Sequence, residues 1–182
     1  MSPDDMGFTT PGPEDPAWGL TITEIENPRD WLRVGTLEHA IAFAAHAHEG
    51  QKDKAGQPYI LHPLRVMLSG TVYDVLDRVV AVLHDVAEDT VYKLPEIDRT
   101  FGHAVTATVD ILTRRERESY DDYIQRILDS KDDIAVRVKM ADLKDNMDMS
   151  RIRDPNAGDM ARFYKYVKAA RRLEREGQWA FE

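Results

Sequence analysis

The chain of 182 residues contains no cysteine, which excludes a disulfide framework, a zinc ribbon and a thiol nucleophile. Its longest apolar run, around residues 40–45, is far shorter than the roughly 20 residues of a membrane-spanning helix. The acidic, proline-bearing N-terminus shows no basic stretch followed by an apolar one, so we expect a cytoplasmic protein without a secretory signal or a membrane partner. Acidic residues outnumber basic ones by 33 to 24. This balance argues against a nucleic acid polymer as partner, because such binding relies on clustered Lys and Arg.

The acidic charge is unevenly distributed along the chain. Residues 1–30 carry seven acids, one base and five of the nine prolines, which gives them six of the nine units of net negative charge. A segment with so little apolar surface cannot offset the entropy lost on ordering, so we expect a flexible tail here. Residues 31–182 then form one globular domain of ordinary size.

Beyond the tail, the apolar residues recur with a helical period almost throughout. Thr36, Asp74 and Ser119 have the side chains of helix N-caps, and Pro63 and Pro95 suit the first turns of helices. One of the predicted helices starts after Asp74 and runs on through residue 86. No stretch alternates apolar and polar residues for long enough to predict a sheet. The sequence therefore predicts an all-α bundle of about eight helices.

A dense group of ionisable residues follows the most apolar of these helices. Residues 84–89 (HDVAED) place four titratable groups within six positions, which is costly in an apolar setting unless their charge is compensated. On a continuous helix, His84, Asp85 and Glu88 share one end of a single surface. A divalent cation would compensate them well.

Three other segments carry chemically suitable side chains. His62 precedes a proline at a helix start, Asp142 interrupts an apolar helix face with Asn146 four residues later, and the polar loop 50–59 contains two lysines. Each segment alone also fits a simpler explanation: a helix cap, a surface ion pair or solvated charge. Their combination is more specific.

Taken together, these segments resemble the HD superfamily of metal-dependent phosphohydrolases, and more closely the hydrolase domain of RelA/SpoT-type alarmone enzymes. The similarity runs from about Leu37 to Leu173. Its motifs are residues 47–51 (AHEGQ), 56–63 (GQPYILHP), 83–90 (LHDVAEDT), 101–102 (FG), 138–142 (VKMAD) and 146–147 (NM). The sequence looks like a small alarmone hydrolase without a synthetase segment.

The resemblance implies an HD fold and a set of site residues. One Mn²⁺ ion would be bound by His62, His84, Asp85 and Asp142. This nitrogen and oxygen donor set also suits Fe²⁺, and Zn²⁺ is a further alternative. In this family an acidic pair, matched here by Glu88 and Asp89, serves the attacking water. Asn146 matches an asparagine that hydrogen-bonds substrate or the water network at the metal.

The reaction of the family removes pyrophosphate from the 3′ position of a nucleoside phosphorylated at its 3′ and 5′ positions. The substrate is therefore a small, strongly anionic nucleotide, (p)ppGpp or (p)ppApp, and basic groups must surround the acidic metal centre. The candidate substrate contacts are Lys52, Asp53, Lys54, Arg114, Lys139, Arg162 and Tyr166.

Two departures from the family pattern leave the base open between guanine and adenine. Relatives usually carry Arg-Lys where this chain has Asp53 and Lys54, and a carboxylate cannot stack on a purine as a guanidinium does. Asp53 could accept hydrogen bonds from a base edge, or point away and tether Lys54. The second departure is residues 143–145 (LKD), where relatives usually have Arg-Leu-His.

Two other functions compete with the alarmone hydrolase. One is an HD phosphohydrolase of another nucleotide, such as NADPH, and the other is a catalytically silent nucleotide-binding sensor. The complete set of presumed ligands and the intact acidic pair argue against the sensor. The sequence does not indicate an oligomeric state.

Overall fold

The computed structural model describes residues 35–181, and its nine α-helices confirm the all-α prediction. They are α1 (Leu37–Ala47), α2 (Leu61–Met67), α3 (Val75–Leu83), α4 (Val86–Asp89), α5 (Leu94–Phe101), α6 (His103–Leu112), α7 (Tyr120–Ser130), α8 (Asp133–Asn146) and α9 (Ala157–Glu176). Helix α4 is a single turn of four residues, so the expected number of about eight agrees with the eight longer helices. Strand pairing within this range is limited to one bridge, between Lys52 and Pro58. The tail predicted for residues 1–30 lies outside the described residues.

The helices begin after the predicted caps, because side-chain oxygens of these residues accept hydrogen bonds from the free amides of the first turns. Thr36 accepts from the amide of His39 at 3.2 Å, and Asp74 accepts from that of Asp77 at 3.0 Å. Ser119 caps α7 in the same way. These caps give the functional segments defined starting points along the chain.

The prediction of one helix from Asp74 through residue 86 is wrong in one respect: the helix breaks at His84 and Asp85. Helix α3 ends at Leu83, and the single turn α4 begins at Val86. The ring of His84 donates from Nδ1 to the carbonyl of Ala81 at 2.7 Å. A continuous helix would offer that carbonyl to the amide of Asp85, so the imidazole competes with the backbone at this point.

Helices α3 and α8 form the centre of the domain. Residues 79–83 of α3 are all buried, as are residues 135–143 of α8. Helix α8 packs against α2, α3, α6, α7 and α9. Ionisable groups carried by these two helices are therefore held by closely packed neighbours and have little freedom to move. None of the described helices has the length and apolarity needed to cross a membrane.

Candidate active site

Two imidazoles and two carboxylates meet between α2, the α3–α4 break and α8. Oδ2 of Asp85 lies 3.1 Å from Nε2 of His84 and 3.4 Å from Nε2 of His62. Oδ1 of Asp142 lies 3.2 Å from Nε2 of His62 and 3.8 Å from Nε2 of His84. His62, His84 and Asp85 have potential ligand atoms within 4.8 Å of one another. Asp142 lies near both imidazoles, and its other oxygen accepts a hydrogen bond from Lys139. The structure thus brings together all four residues that the resemblance implies as ligands.

The hydrogen bonds of the two imidazoles direct their Nε2 atoms into this cluster. Nδ1 of His84 carries a proton, because its partner at 2.7 Å is the carbonyl of Ala81, which only accepts. Nδ1 of His62 lies 2.7 Å from Oδ2 of Asp145. The buried Nε2 of His84 has no hydrogen-bond partner among the described residues. Two nitrogen lone pairs and two carboxylates therefore face one another, an arrangement that fits a divalent cation with mixed nitrogen and oxygen ligands.

The same concentration of negative charge acts on the pKa values of the imidazoles. Burial alone would lower the pKa of His84, but the nearby charges of Asp85 and Asp142 outweigh burial and raise it to about 9. Burial likewise opposes ionisation of Asp85, yet His84 and His62 hold the pKa of that carboxyl well below its usual range. The cluster strongly favours a positive charge at its centre.

Lys139 lies behind Asp142 and does not contact the pocket that adjoins the cluster. Its Nζ donates to Oδ2 of Asp142 at 2.7 Å and lies 4.9 Å from the ring centre of Tyr123. Asn146 donates from Nδ2 to the other oxygen of Asp142. The expectation that Lys139 contacts substrate therefore needs correction: the residue lies one helical turn from Asp142, and helix geometry turns its ammonium toward that buried carboxylate.

Tyr59 is part of the site, although sequence reasoning named it only within the motif of residues 56–63. Its hydroxyl donates to Oδ2 of Asp85 at 2.6 Å and lies 3.4 Å from Oδ2 of Asp89. The ring packs on the imidazole of His48 with 4.8 Å between ring centres. Burial, followed by the charge of Asp85, raises the pKa of Tyr59 far above its usual value, so the phenol remains a donor.

Glu88 and Asp89, the predicted acidic pair, lie next to the cluster on α4. Burial, together with the nearby charge of Asp85, raises the pKa of both carboxyls. Oε2 of Glu88 accepts the backbone amide of Arg114 at 2.9 Å. Arg114 therefore contacts the site through its main chain, and its side chain does not line the adjoining pocket.

A pocket of about 330 Å³ opens beside the cluster, near the lower end of the range for small-molecule sites. His62 forms part of its wall. Six of the residues predicted to serve catalysis or substrate binding line it: Lys52, Asp53, Lys54, Asn146, Arg162 and Tyr166. Sequence reasoning missed two cationic residues of the wall, Arg65 and Arg151.

Asp53 takes a role that neither sequence-based alternative included. Its Oδ1 accepts the backbone amides of Ala55 and Gln57, both at 2.9 Å. Gly56 completes the turn with a φ of +76°, a conformation that glycine adopts without steric cost. The carboxylate thus shapes the loop that carries Lys52 and Lys54 into the pocket wall.

Basic side chains in the pocket wall and next to it lie close enough to affect one another's pKa. Burial, followed by the charge of Arg162, lowers the pKa of Lys54. Burial also lowers the pKa of Lys165, with further contributions from the charges of Arg114 and Lys139. Lys165, which the sequence did not single out, lies 4.5 Å from the ring centre of Tyr120. Crowded cations that disfavour one another's charge suit a polyanionic ligand.

Several known proteins are similar to this chain in sequence. The GTP pyrophosphokinase of Streptomyces coelicolor is 35% identical over 154 residues, which are 78% of this chain and 18% of that protein. The guanosine-3′,5′-bis(diphosphate) 3′-pyrophosphohydrolase of Aquifex aeolicus is 34% identical over 121 residues, 61% of this chain and 17% of that protein. The bifunctional (p)ppGpp synthase/hydrolase SpoT of Escherichia coli is 31% identical over 131 residues, 66% and 18% of the two chains. The chain spans less than a fifth of the length of these curated relatives.

A solved structure of a metazoan ortholog of SpoT, described as hydrolysing ppGpp, has the same fold. It aligns with a TM-score of 0.64 at 21% identity and covers 78% of this chain and 86% of that one. The model of the HD domain family matches residues 40–155, a range that contains all four clustered His and Asp residues. The chain therefore belongs to the HD domain family, as the resemblance predicted.

Proposed function

We propose that this protein is an Mn²⁺-dependent 3′-pyrophosphohydrolase of alarmone nucleotides, (p)ppGpp or (p)ppApp. The observation that carries the proposal is the position of His62, which belongs both to the His–Asp cluster and to the wall of the cation-lined pocket. A phosphate group of a nucleotide bound in the pocket can therefore extend to the cluster, where the residues suited to hydrolysis lie. The relatives named for ppGpp hydrolysis and synthesis support the choice of substrate class.

The metal site in this proposal consists of His62, His84, Asp85 and Asp142. Their nitrogen and oxygen donors suit Mn²⁺, with Fe²⁺ or Zn²⁺ as alternatives. When bound, a divalent ion supplies Lewis-acid polarisation of a phosphoryl oxygen and lowers the pKa of water beside it. Tyr59 holds Asp85 in place through its hydroxyl.

The remaining residues bind the substrate and handle the proton. Lys52, Lys54 and Arg162 line the pocket and neutralise the phosphates. Glu88 accepts the proton of the attacking water, because its raised pKa brings it closer to neutral pH than an ordinary glutamate. Asp89 and Asn146 orient the water and the substrate oxygens.

The base of the nucleotide remains either guanine or adenine in this proposal. Asp53 uses one oxygen to close its own loop, and the guanidinium usual at this position in relatives is absent from this sequence. Phe163 and Tyr166, which also line the pocket, provide aromatic surface on which either purine can stack. A cytoplasmic location and the exclusion of nucleic acid polymers are predictions that rest on composition alone.

Parallel assays of three substrates test the proposed function. Purified protein with Mn²⁺ receives ppGpp, ppApp and NADPH, and products are separated by anion-exchange chromatography. We expect release of pyrophosphate and a nucleoside 5′-diphosphate from at least one alarmone, with Asp85→Ala inactive and free of metal. Loss of phosphate from NADPH with both alarmones intact would show another HD phosphohydrolase. Nucleotide binding without any product would show a silent sensor.

A further inference from the structure

Asp145 contacts one of the clustered imidazoles from outside the cluster. It lies on α8 one turn after Asp142, and its Oδ2 is 2.7 Å from Nδ1 of His62, a residue 83 positions earlier. Its side chain is 10% exposed and that of His62 is 7% exposed. The contact is thus a buried link between α2 and α8, the two helices that bring His62 and Asp142 together.

Two arginines hold this carboxylate in a fixed orientation. Arg65 donates from Nε to Oδ1 at 2.6 Å and from Nη2 to Oδ2 at 3.1 Å, a two-bond geometry that restricts the carboxylate plane. Arg151 donates from Nη2 to the backbone carbonyl of Asp145 at 2.5 Å and lies 3.2 Å from Oδ2. Arg65 is three residues after His62 on α2, so the same helix supplies both the imidazole and the arginine that orients its partner.

We propose that Asp145 is a positioning residue for the metal site, acting through His62. By accepting the Nδ1 proton, it fixes the imidazole with the Nε2 lone pair directed at Asp85 and Asp142. A carboxylate in this position also makes the imidazole more basic as a ligand. The inference rests on the proposed function, because it assigns Asp145 a task only if His62 binds a metal ion.

Asp145 is one of the positions at which this sequence departs from the family pattern, since relatives usually have a histidine there. A neutral imidazole in place of Asp145 would form one hydrogen bond at most with His62 and none of the charged pairs with Arg65 and Arg151. The arginines and the carboxylate therefore form a unit, defined by Arg65, Asp145 and Arg151, that supports this chain's own version of the site.

Metal affinity tests the proposal directly. Free Mn²⁺ gives a six-line electron paramagnetic resonance spectrum that broadens on binding, so titration of wild type and Asp145→Asn gives both dissociation constants. We expect Asp145→Asn to bind Mn²⁺ about 10- to 100-fold more weakly, the usual effect of removing such a partner. Co²⁺-loaded protein should also show an altered visible absorption spectrum, which a purely structural role would not change.

Asp110→Asn is the matched control. Asp110 also binds an arginine through two hydrogen bonds, to Arg115 at 2.7 Å each, but no histidine within residues 35–181 is hydrogen-bonded to it. We expect its Mn²⁺ dissociation constant to equal that of wild type. If Asp145→Asn does not fold, Arg65→Gln replaces it, with an expected loss of at least threefold in affinity.

The outcomes separate this inference from the proposed function. An Mn²⁺ dissociation constant within threefold of wild type in Asp145→Asn, or in Arg65→Gln if only that variant folds, overturns the positioning role and leaves the hydrolase intact. Wild type that binds no divalent ion overturns the proposed function and the inference together. Weaker binding in Asp145→Asn, with an unchanged control, supports the inference.

Discussion

Lys139 and Asp142, one turn apart on α8, form a buried ion pair with 2.7 Å between Nζ and Oδ2. Burial alone would lower the pKa of Lys139, but the charge of Asp142 outweighs it and raises that pKa well above the usual value. The ammonium therefore stays charged and occupies one oxygen of the carboxylate. Oδ1, the oxygen that lies near the imidazoles, keeps a fixed direction as a result.

Lys139→Met should destabilise the metal-free protein because it leaves Asp142 buried without this counter-charge. Removal of one partner of a buried ion pair lowers the free energy of unfolding by roughly 3–5 kcal/mol. This loss is measurable as a lower urea midpoint in the presence of a chelator. Mn²⁺ should restore more stability to the variant than it adds to wild type, since the ion supplies the missing positive charge.

Lys168→Met provides the comparison for this prediction. Lys168 also pairs with a carboxylate, that of Asp121 at 2.6 Å, but both side chains are about two-thirds exposed. Solvent screens such a pair, so the urea midpoint should not change. A chelator-treated Lys139→Met protein as stable as wild type would contradict the importance of the buried pair.

Tyr59→Phe should weaken Mn²⁺ binding about tenfold, as expected when a hydrogen bond to a ligating carboxylate is lost. The variant keeps the ring that packs on His48 and removes only the hydroxyl that donates to Asp85, so the circular dichroism spectrum should be that of wild type. Tyr164→Phe, at an exposed tyrosine, is the control. Equal Mn²⁺ affinities for Tyr59→Phe and wild type would remove Tyr59 from the site.

Glu88→Gln should retain the metal and lose about 10²–10⁴-fold in kcat, the usual contribution of a general base. The group must be ionised to accept a proton. Because burial raises the pKa of Glu88 above its usual range, wild-type activity should fall on acidification at a higher pH than an ordinary glutamate would give. This acid limb should be missing from the residual activity of Glu88→Gln. Full activity in the variant would assign the base to another group.

The sequence predicts the helices well because their signals are local. A cap such as Thr36, or a first-turn Pro63, acts within four residues, and the helices begin where these residues predict. The break after Leu83 was missed because apolar periodicity does not register a ring that competes for a backbone carbonyl. The periodicity continues through Val86 although the backbone does not.

The residues of the site also differ in whether local sequence or only long-range packing reveals them. The His and Asp residues of the cluster are found by motif, since their order in the chain is distinctive. The partners that orient them are not: Asp145 meets His62 across 83 positions, and Tyr59 meets Asp85 across 26. Only the packing of α2 against α8 and α3 makes these pairs visible.

Asp53→Asn should leave the ratio of kcat/KM for ppGpp and ppApp unchanged, because an asparagine oxygen can still accept the amides of Ala55 and Gln57 and keep the loop closed. Asp53→Ala should raise KM for both substrates by similar factors, since the loop that carries Lys52 and Lys54 loses two hydrogen bonds, each worth about 0.5–1.5 kcal/mol net. Competition assays with mixed nucleotides give the ratio of kcat/KM for each variant, and initial rates with each nucleotide alone give KM. A change of the ratio in Asp53→Asn would instead show that the carboxylate contacts the base, because the substitution alters its charge while the loop stays closed.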